Sequence, residues 1–164
     1  MKPLCLVAMI VMTSLVVGCQ QPVAGVAAKD QAVTTDGLKT TLTVSDRYVY
    51  VGQKLTVTLT AENTGAKAIE INSPSAAKAL FTIAEQGGPW RTRRPTMAAA
   101  VMTPWTLPAG ESRTFQEVFT VAKDWPMATP LRLTGRINGR ENATTEVSIE
   151  AYETKSQCDR KRVY

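Results

Sequence analysis

Hydrophobic and polar positions alternate in two different ways along this chain. Leu4 to Val17 is an apolar run of 14 residues without a charge. From Leu38 to Ala151 the dominant rhythm is instead a period of two, the repeat of a strand with one buried face. Leu38, Thr40, Leu42 and Val44 alternate with Lys39, Thr41 and Thr43, and Ser45-Asp46 ends that run. Tyr48 to Val51 predicts a short extended piece closed by Gly52. The clearest strand follows, with Leu55, Val57, Leu59 and Ala61 on one face and Thr56, Thr58, Thr60 and Glu62 on the other. Threonines on the wet face suit a half-exposed antiparallel sheet.

Asn63-Thr64-Gly65 predicts a turn, and Ile69 and Ile71 anchor the next strand. Ser73 to Lys78 reads as a capped helical turn, with Ser73 as cap and Pro74 at the first helical position. Leu80–Ala84 predicts a strand ended by Gly87-Gly88-Pro89, and Trp90 opens a return strand through Arg94. Residues 95–104 follow no period. Trp105-Thr106-Leu107 leads into the turn Pro108–Ser112, after which Phe115, Phe119 and Val121 alternate, with Glu117 as a polar break on their face. The last pair is Leu131–Ile137 and Ala143–Ala151. The dipeptide Asn138-Gly139 favours a two-residue turn, but that register sets Leu133 against Thr144. A three-residue loop, Asn138-Gly139-Arg140, sets Leu131 opposite Val147 and Arg132 opposite Glu146, and the core pattern favours it. About seven to nine short strands with regular turn signals predict an all-β, immunoglobulin-like antiparallel β-sandwich over residues 37–153.

The leading apolar run changes the picture of where the fold resides. A 14-residue helix rises about 21 Å, short of the roughly 30 Å hydrocarbon core of a bilayer. With Lys2 before it and Gly18 after it, residues 1–18 read as a secretory signal peptide. The close Val16-Val17-Gly18-Cys19 resembles the lipobox of bacterial lipoproteins. That resemblance implies cleavage before Cys19, lipidation of Cys19, and anchoring in a bacterial cell envelope. Gln20 after the cysteine lacks the aspartate associated with inner-membrane retention, which favours the outer membrane in a Gram-negative cell. Residues 19–36 then form a lipidated N-terminus and a small, polar, flexible tether, and 154–164 a basic disordered tail.

Composition sharpens this further. Cleavage leaves 146 of the 164 residues, one domain with tails. The net charge is +5, and Lys155, Arg160, Lys161 and Arg162 concentrate much of it in the tail, so no nucleic-acid partner is expected. Of three cysteines, Cys5 leaves with the signal and Cys19 carries lipid. Cys158 remains as a free thiol in the tail, with neighbouring cations favouring its thiolate, or as a bridge to another chain.

The chain also resembles bacterial immunoglobulin-like envelope domains and, in its order of strand, Asn-turn, strand, Trp90 and Leu107-Pro108-Ala109-Gly110-Glu111-Ser112, the BsuPI-type proteinase inhibitor domain. The second resemblance implies protease inhibition.

Candidate chemistry is sparse. There is no histidine, which removes Ser-His and Cys-His pairs and common zinc sets; no cofactor or metal is expected. Ser75-Ala76-Ala77-Lys78 has the S-x-x-K spacing of penicillin-interacting enzymes without its companion motifs. Asp46, Glu62, Glu70, Glu85, Glu111, Glu117 and Asp124 are scattered, and a carboxylate-pair enzyme needs two of them in one pocket. Trp90, Arg91, Arg93 and Arg94 are the candidate binding patch, suited to an anionic ligand or an envelope protein through arginine forks beside an aromatic face. The competing reading packs Trp90 at the sandwich edge with solvated arginines screening it. Arg132 and Arg136 read as outward partners of acids such as Glu146. A non-catalytic, membrane-anchored binding or structural module is the expected function.

Overall fold

The computed structural model describes residues 31–92 and 102–163. The signal segment, Cys19, Arg93 and Arg94 lie outside that range. Strand β1 (Gln31–Thr35) forms a hairpin with β2 (Leu38–Val44), pairing Thr35 with Leu38. The two turn residues, Asp36 and Gly37, both have positive φ, at 50° and 76°. That is the geometry Asp-Gly accepts in a tight hairpin whose twist matches its strands. Residues 31–35, expected to belong to a flexible tether, are therefore a strand of the sandwich.

Past Val44 the chain crosses into a second layer as β3 (Tyr48–Tyr50) and returns as β4 (Lys54–Asn63). Next come β5 (Ile69–Ser73), β6 (Ala79–Glu85), β7 (Thr103–Leu107), β8 (Ser112–Thr120), β9 (Pro130–Ile137) and β10 (Thr144–Tyr152). One sheet has the order β1-β2-β4-β8, the other β3-β10-β9-β6, and β5-β7 form a two-stranded ribbon. The molecule is thus an all-β sandwich, with ten strands among the described residues. Among its named strands the pairing departs from the all-antiparallel expectation where β3 runs parallel to β10.

Leu38, Leu42, Leu55, Val57, Leu59 and Ala61 of the first sheet face Val49, Ile83, Leu131, Leu133, Ile137, Val147 and Ile149 of the second, all buried. Each large aliphatic side chain buried this way contributes about 1.5–3 kcal/mol against conformational entropy. Gly135 sits between the layers, where an added Cβ would meet Leu42 Cδ1 at 2.7 Å. The sheets approach too closely there for a side chain.

The β9–β10 register corrects the expected loop. Leu131 pairs with Ile149 and Leu133 with Val147, a register two residues further along β10, so the connection is residues 138–143 rather than three residues. The parity is that required by the core, and Asn138 is the reason for the extra pair. Its Nδ2 donates to Ser75 Oγ at 3.0 Å and to Ala77 O at 2.8 Å. Ser73 Oγ in turn donates to Asn138 O at 3.0 Å and accepts Trp105 Nε1–H at 3.1 Å. Ser73 to Lys78 is consequently no helical turn, because its polar groups are spent on the loop between β9 and β10. Ser75 of the S-x-x-K spacing is buried in this network, and Lys78 Nζ lies 5.8 Å over the Trp105 ring.

The basic tail is likewise ordered. Helix α1 (Lys155–Arg162) begins with a capping box in which Thr154 and Gln157 bond each other's backbone. It packs along β3 and β10, with Arg162 paired to Asp46 and bonding Tyr48 O at 3.1 Å. Its basic residues cluster in the last turn, where the helix dipole favours cations.

Candidate functional site

The two sheets end in different strands on the same side of the sandwich: β8 borders the first and β6 the second. Beyond β6, Trp90–Thr92 folds back against its outer edge. Ala84 bridges Arg91, Thr92 N–H donates to Ile83 O at 2.8 Å, and Ile83 N–H donates to Thr92 Oγ1 at 3.1 Å. That pairing turns Trp90 toward the core and leaves Arg91 on the outer face. Trp90 is half-buried and packs edgewise on Trp125, ring centroids 5.7 Å apart and planes at 55°.

Between this returning segment and β8 lies an open cleft of about 770 Å³. Trp90, Arg91 and Thr92 form one wall; Glu117, Phe119, Asp124 and Trp125 form much of the other. On β8 the inward positions are Phe115, Glu117 and Phe119, each half-buried, while Gln116, Val118 and Thr120 are exposed. The polar break noted at Glu117 therefore points into the cleft beside Phe119. Burial pushes its carboxyl above the ordinary range, because the charged form is the one that loses solvation. Among the described residues neither the Glu117 nor the Asp124 side chain makes a hydrogen bond or an ion pair. Trp125 is only 6% exposed, whereas Trp90 and Phe119 are half-buried at the cleft.

Arg91 also borders a second depression of about 360 Å³ on the outer face of the β6-β9-β10 sheet, shared with Arg132 and Arg136. Here the cations have acids beside them: Arg132 Nε lies 3.9 Å from Glu146 Oε2, and Arg136 pairs with Glu141. Of the candidate patch, Trp90 and Arg91 thus reach the cleft, while Arg93 and Arg94 lie outside the described residues. Missing from the sequence reading were Trp125 and Phe119 as cleft residues. For the β8 wall the one signal was Glu117, an acid in phase with two phenylalanines.

Cys158 lies at the opposite side of the molecule. It is fully buried under α1, and its Sγ–H donates to Tyr48 O at 2.9 Å. Burial, with the Asp159 charge beside it, pushes the thiol up, against the expectation that adjacent cations would favour thiolate. Lys155, Arg160 and Lys161 are exposed and Arg162 is paired with Asp46, whereas the sulfur is buried against the sheet. It is the one free cysteine among the described residues, and it is buried rather than exposed on a loose end.

No family model and no curated protein sequence matches this chain. Among solved structures, it is similar to Spo0M, a sporulation control protein from Bacillus subtilis, at 13% identity and a TM-score of 0.49 over 73% of this chain. It is also similar to part of the β-glucosidase EmGH1 from Erythrobacter marinus (14% identity, 67% of this chain, TM-score 0.42) and of a Listeria innocua β-glucosidase (17%, 71%, 0.39). The chain spans 51% of Spo0M and 14% and 17% of the two glucosidases.

Proposed function

We propose that this chain is a lipid-anchored lipoprotein of the bacterial cell envelope whose sandwich is a non-catalytic binding module. The observation that carries the anchoring is the run Leu4–Val17 closed by Val16-Val17-Gly18-Cys19. Each buried acyl methylene adds about 0.8 kcal/mol, so several chains on Cys19 hold a protein at a bilayer almost permanently. The outer membrane is favoured by Gln20. With β1 starting at Gln31, the tether is residues 20–30, at most about 36–40 Å when extended. The cleft between β8 and Trp90–Thr92 supports binding as the activity, since it joins apolar walls to uncommitted charge.

Metabolic labelling with a fatty-acid analogue tests this: the wild type takes up label and Cys19→Ala does not. Label retained by Cys19→Ala would overturn it.

A carboxylate-pair enzyme is the second reading, because Glu117 and Asp124 line one cleft. Binding is preferred because catalytic carboxylates are held by supporting hydrogen bonds, and none holds these two among the described residues. Hydrolytic turnover by the wild type, abolished in Glu117→Gln, would select the enzyme. The inhibitor reading has the shared order of motifs behind it. Two of those motifs meet in one corner, where Asn63 Nδ2 donates to Leu107 O at 2.9 Å and Gly110 N–H to Asn63 O at 2.9 Å. That contact gives the Leu107–Ser112 turn a role in the fold.

A further inference from the structure

We propose that the outer edge of β8 receives an extended peptide segment as an added strand, and that Glu117 selects a segment bringing a lysine or arginine into the cleft. The inference rests on the binding-module reading and names its partner. Two independent features point to it.

The first is the edge itself. Ser112–Thr120 pairs with β4 on one side, and among the described residues no backbone hydrogen bond reaches its other side. Nine residues whose outer N–H and C=O groups meet no described backbone partner are a template for strand addition. β6, the edge across the cleft, is by contrast already met by Thr92. Val118, 54% exposed on the outward face, adds apolar area for a partner's side chain.

The second is the charge. A strand laid along β8 sends alternate side chains inward, and one of them falls about 5 Å from Glu117 at Cβ. An apolar residue there would finish burying a carboxylate that is already poorly solvated and has no partner. A second copy of β8, paired antiparallel about its centre at Gln116, would bring the apolar Phe115 against Glu117, and paired about Glu117 would bring the two carboxylates together. A lysine or arginine meets the carboxylate instead, with Asp124 on the same wall and Trp90 and Trp125 lining the cleft beside its stem. Glu117 thus excludes self-association and most strands while admitting a cationic one.

The test titrates nine-residue alternating threonine–valine peptides into the full mature chain in detergent, followed by NMR of the β8 amides and by tryptophan fluorescence. A central lysine is expected to bind about tenfold more tightly than a central norleucine, and a central glutamate not to bind. Glu117→Gln should erase the lysine preference while keeping norleucine binding, and Asp124→Asn should reduce it. N-methylating alternate amides of the lysine peptide should abolish binding, a readout made on the unaltered protein. Absence of lysine-peptide binding, an unchanged preference in Glu117→Gln, or equal binding by the N-methylated peptide would overturn the proposal. Displacement by free cadaverine alone would assign the site to small cations and overturn it as well. Cys19 labelling is read without any peptide, so failure here and failure of the anchoring are separate results.

Discussion

Asn63 is the residue whose removal tests the sandwich corner most sharply. Its side chain is fully buried and makes three hydrogen bonds: Nδ2 donates to Lys67 O at 2.8 Å and to Leu107 O at 2.9 Å, and Oδ1 accepts Gly65 N–H at 3.0 Å. Its backbone extends the β4–β8 ladder through Glu111 O, 2.9 Å from Asn63 N. Asn63→Ala leaves the buried Leu107 carbonyl unpaired, at about 1–3 kcal/mol, and forfeits two part-buried bonds worth roughly 0.5–1 kcal/mol each. The expected loss is about 2–5 kcal/mol, or roughly 8–20 °C in Tm for a domain of this size. Urea and thermal unfolding, followed through the three tryptophans, measure it. Asn63→Asp keeps the acceptor but sets a carboxylate against two carbonyls. It should lose at least as much at neutral pH and recover part of the loss in acid, where a protonated carboxyl donates again. A loss below about 1 kcal/mol for Asn63→Ala, or Asn63→Asp matching wild type at pH 7, would refute this account of the corner.

Three further outcomes are expected. The native state binds the Glu117 proton more tightly than the unfolded chain, whose carboxyl titrates near the usual 4.5. Ionising it therefore costs stability that is intact below that pH and declines as pH rises through the native value. Glu117→Gln should be more stable than wild type at pH 7 and equal to it near pH 4; a constant difference across that range would contradict the burial of this carboxyl. Cys158 should resist a disulfide-exchange reagent in native buffer and react fully in urea, and Arg162→Ala should speed native labelling by roughly five- to tenfold by releasing α1. Immediate native labelling would mean the helix does not cover the thiol. Gly139 has φ of +92°, and an added Cβ would collide with the Asn72 carbonyl, so Gly139→Ala should cost about 2–4 kcal/mol in urea unfolding. A change below about 0.5 kcal/mol would show that the loop yields freely.

What the sequence reveals of this fold follows how each residue is held. Leu55, Val57, Leu59 and Ala61 betray β4 because a half-buried strand writes its faces directly into the chain. The same logic gave the facing parity of β9 and β10 but not the length of their loop. That length depends on Asn138 reaching Ser75 and Ala77, more than sixty residues away in sequence. Strand β1 was missed although Asp36-Gly37 announces a hairpin, because Gln31–Thr35 is mostly exposed and shows no buried face. Helix α1 was missed for a similar reason: Cys158 is its one buried residue, and the signal available was the cap, Thr154 followed three residues later by Gln157. In the cleft, Trp90 and Glu117 stood out singly. Their meeting across two sheet edges, with Trp125 between them, is a product of topology that no local pattern encodes.

The most direct test of the whole account is site-specific photo-crosslinking in intact cells from position 118, on the exposed side of β8. The account predicts a crosslinked partner that is lost in Glu117→Gln, lost when Cys19→Ala frees the chain from the membrane, and not formed from position 155 on α1. Crosslinks of equal yield from both positions, or crosslinks indifferent to Glu117 and Cys19, would contradict it.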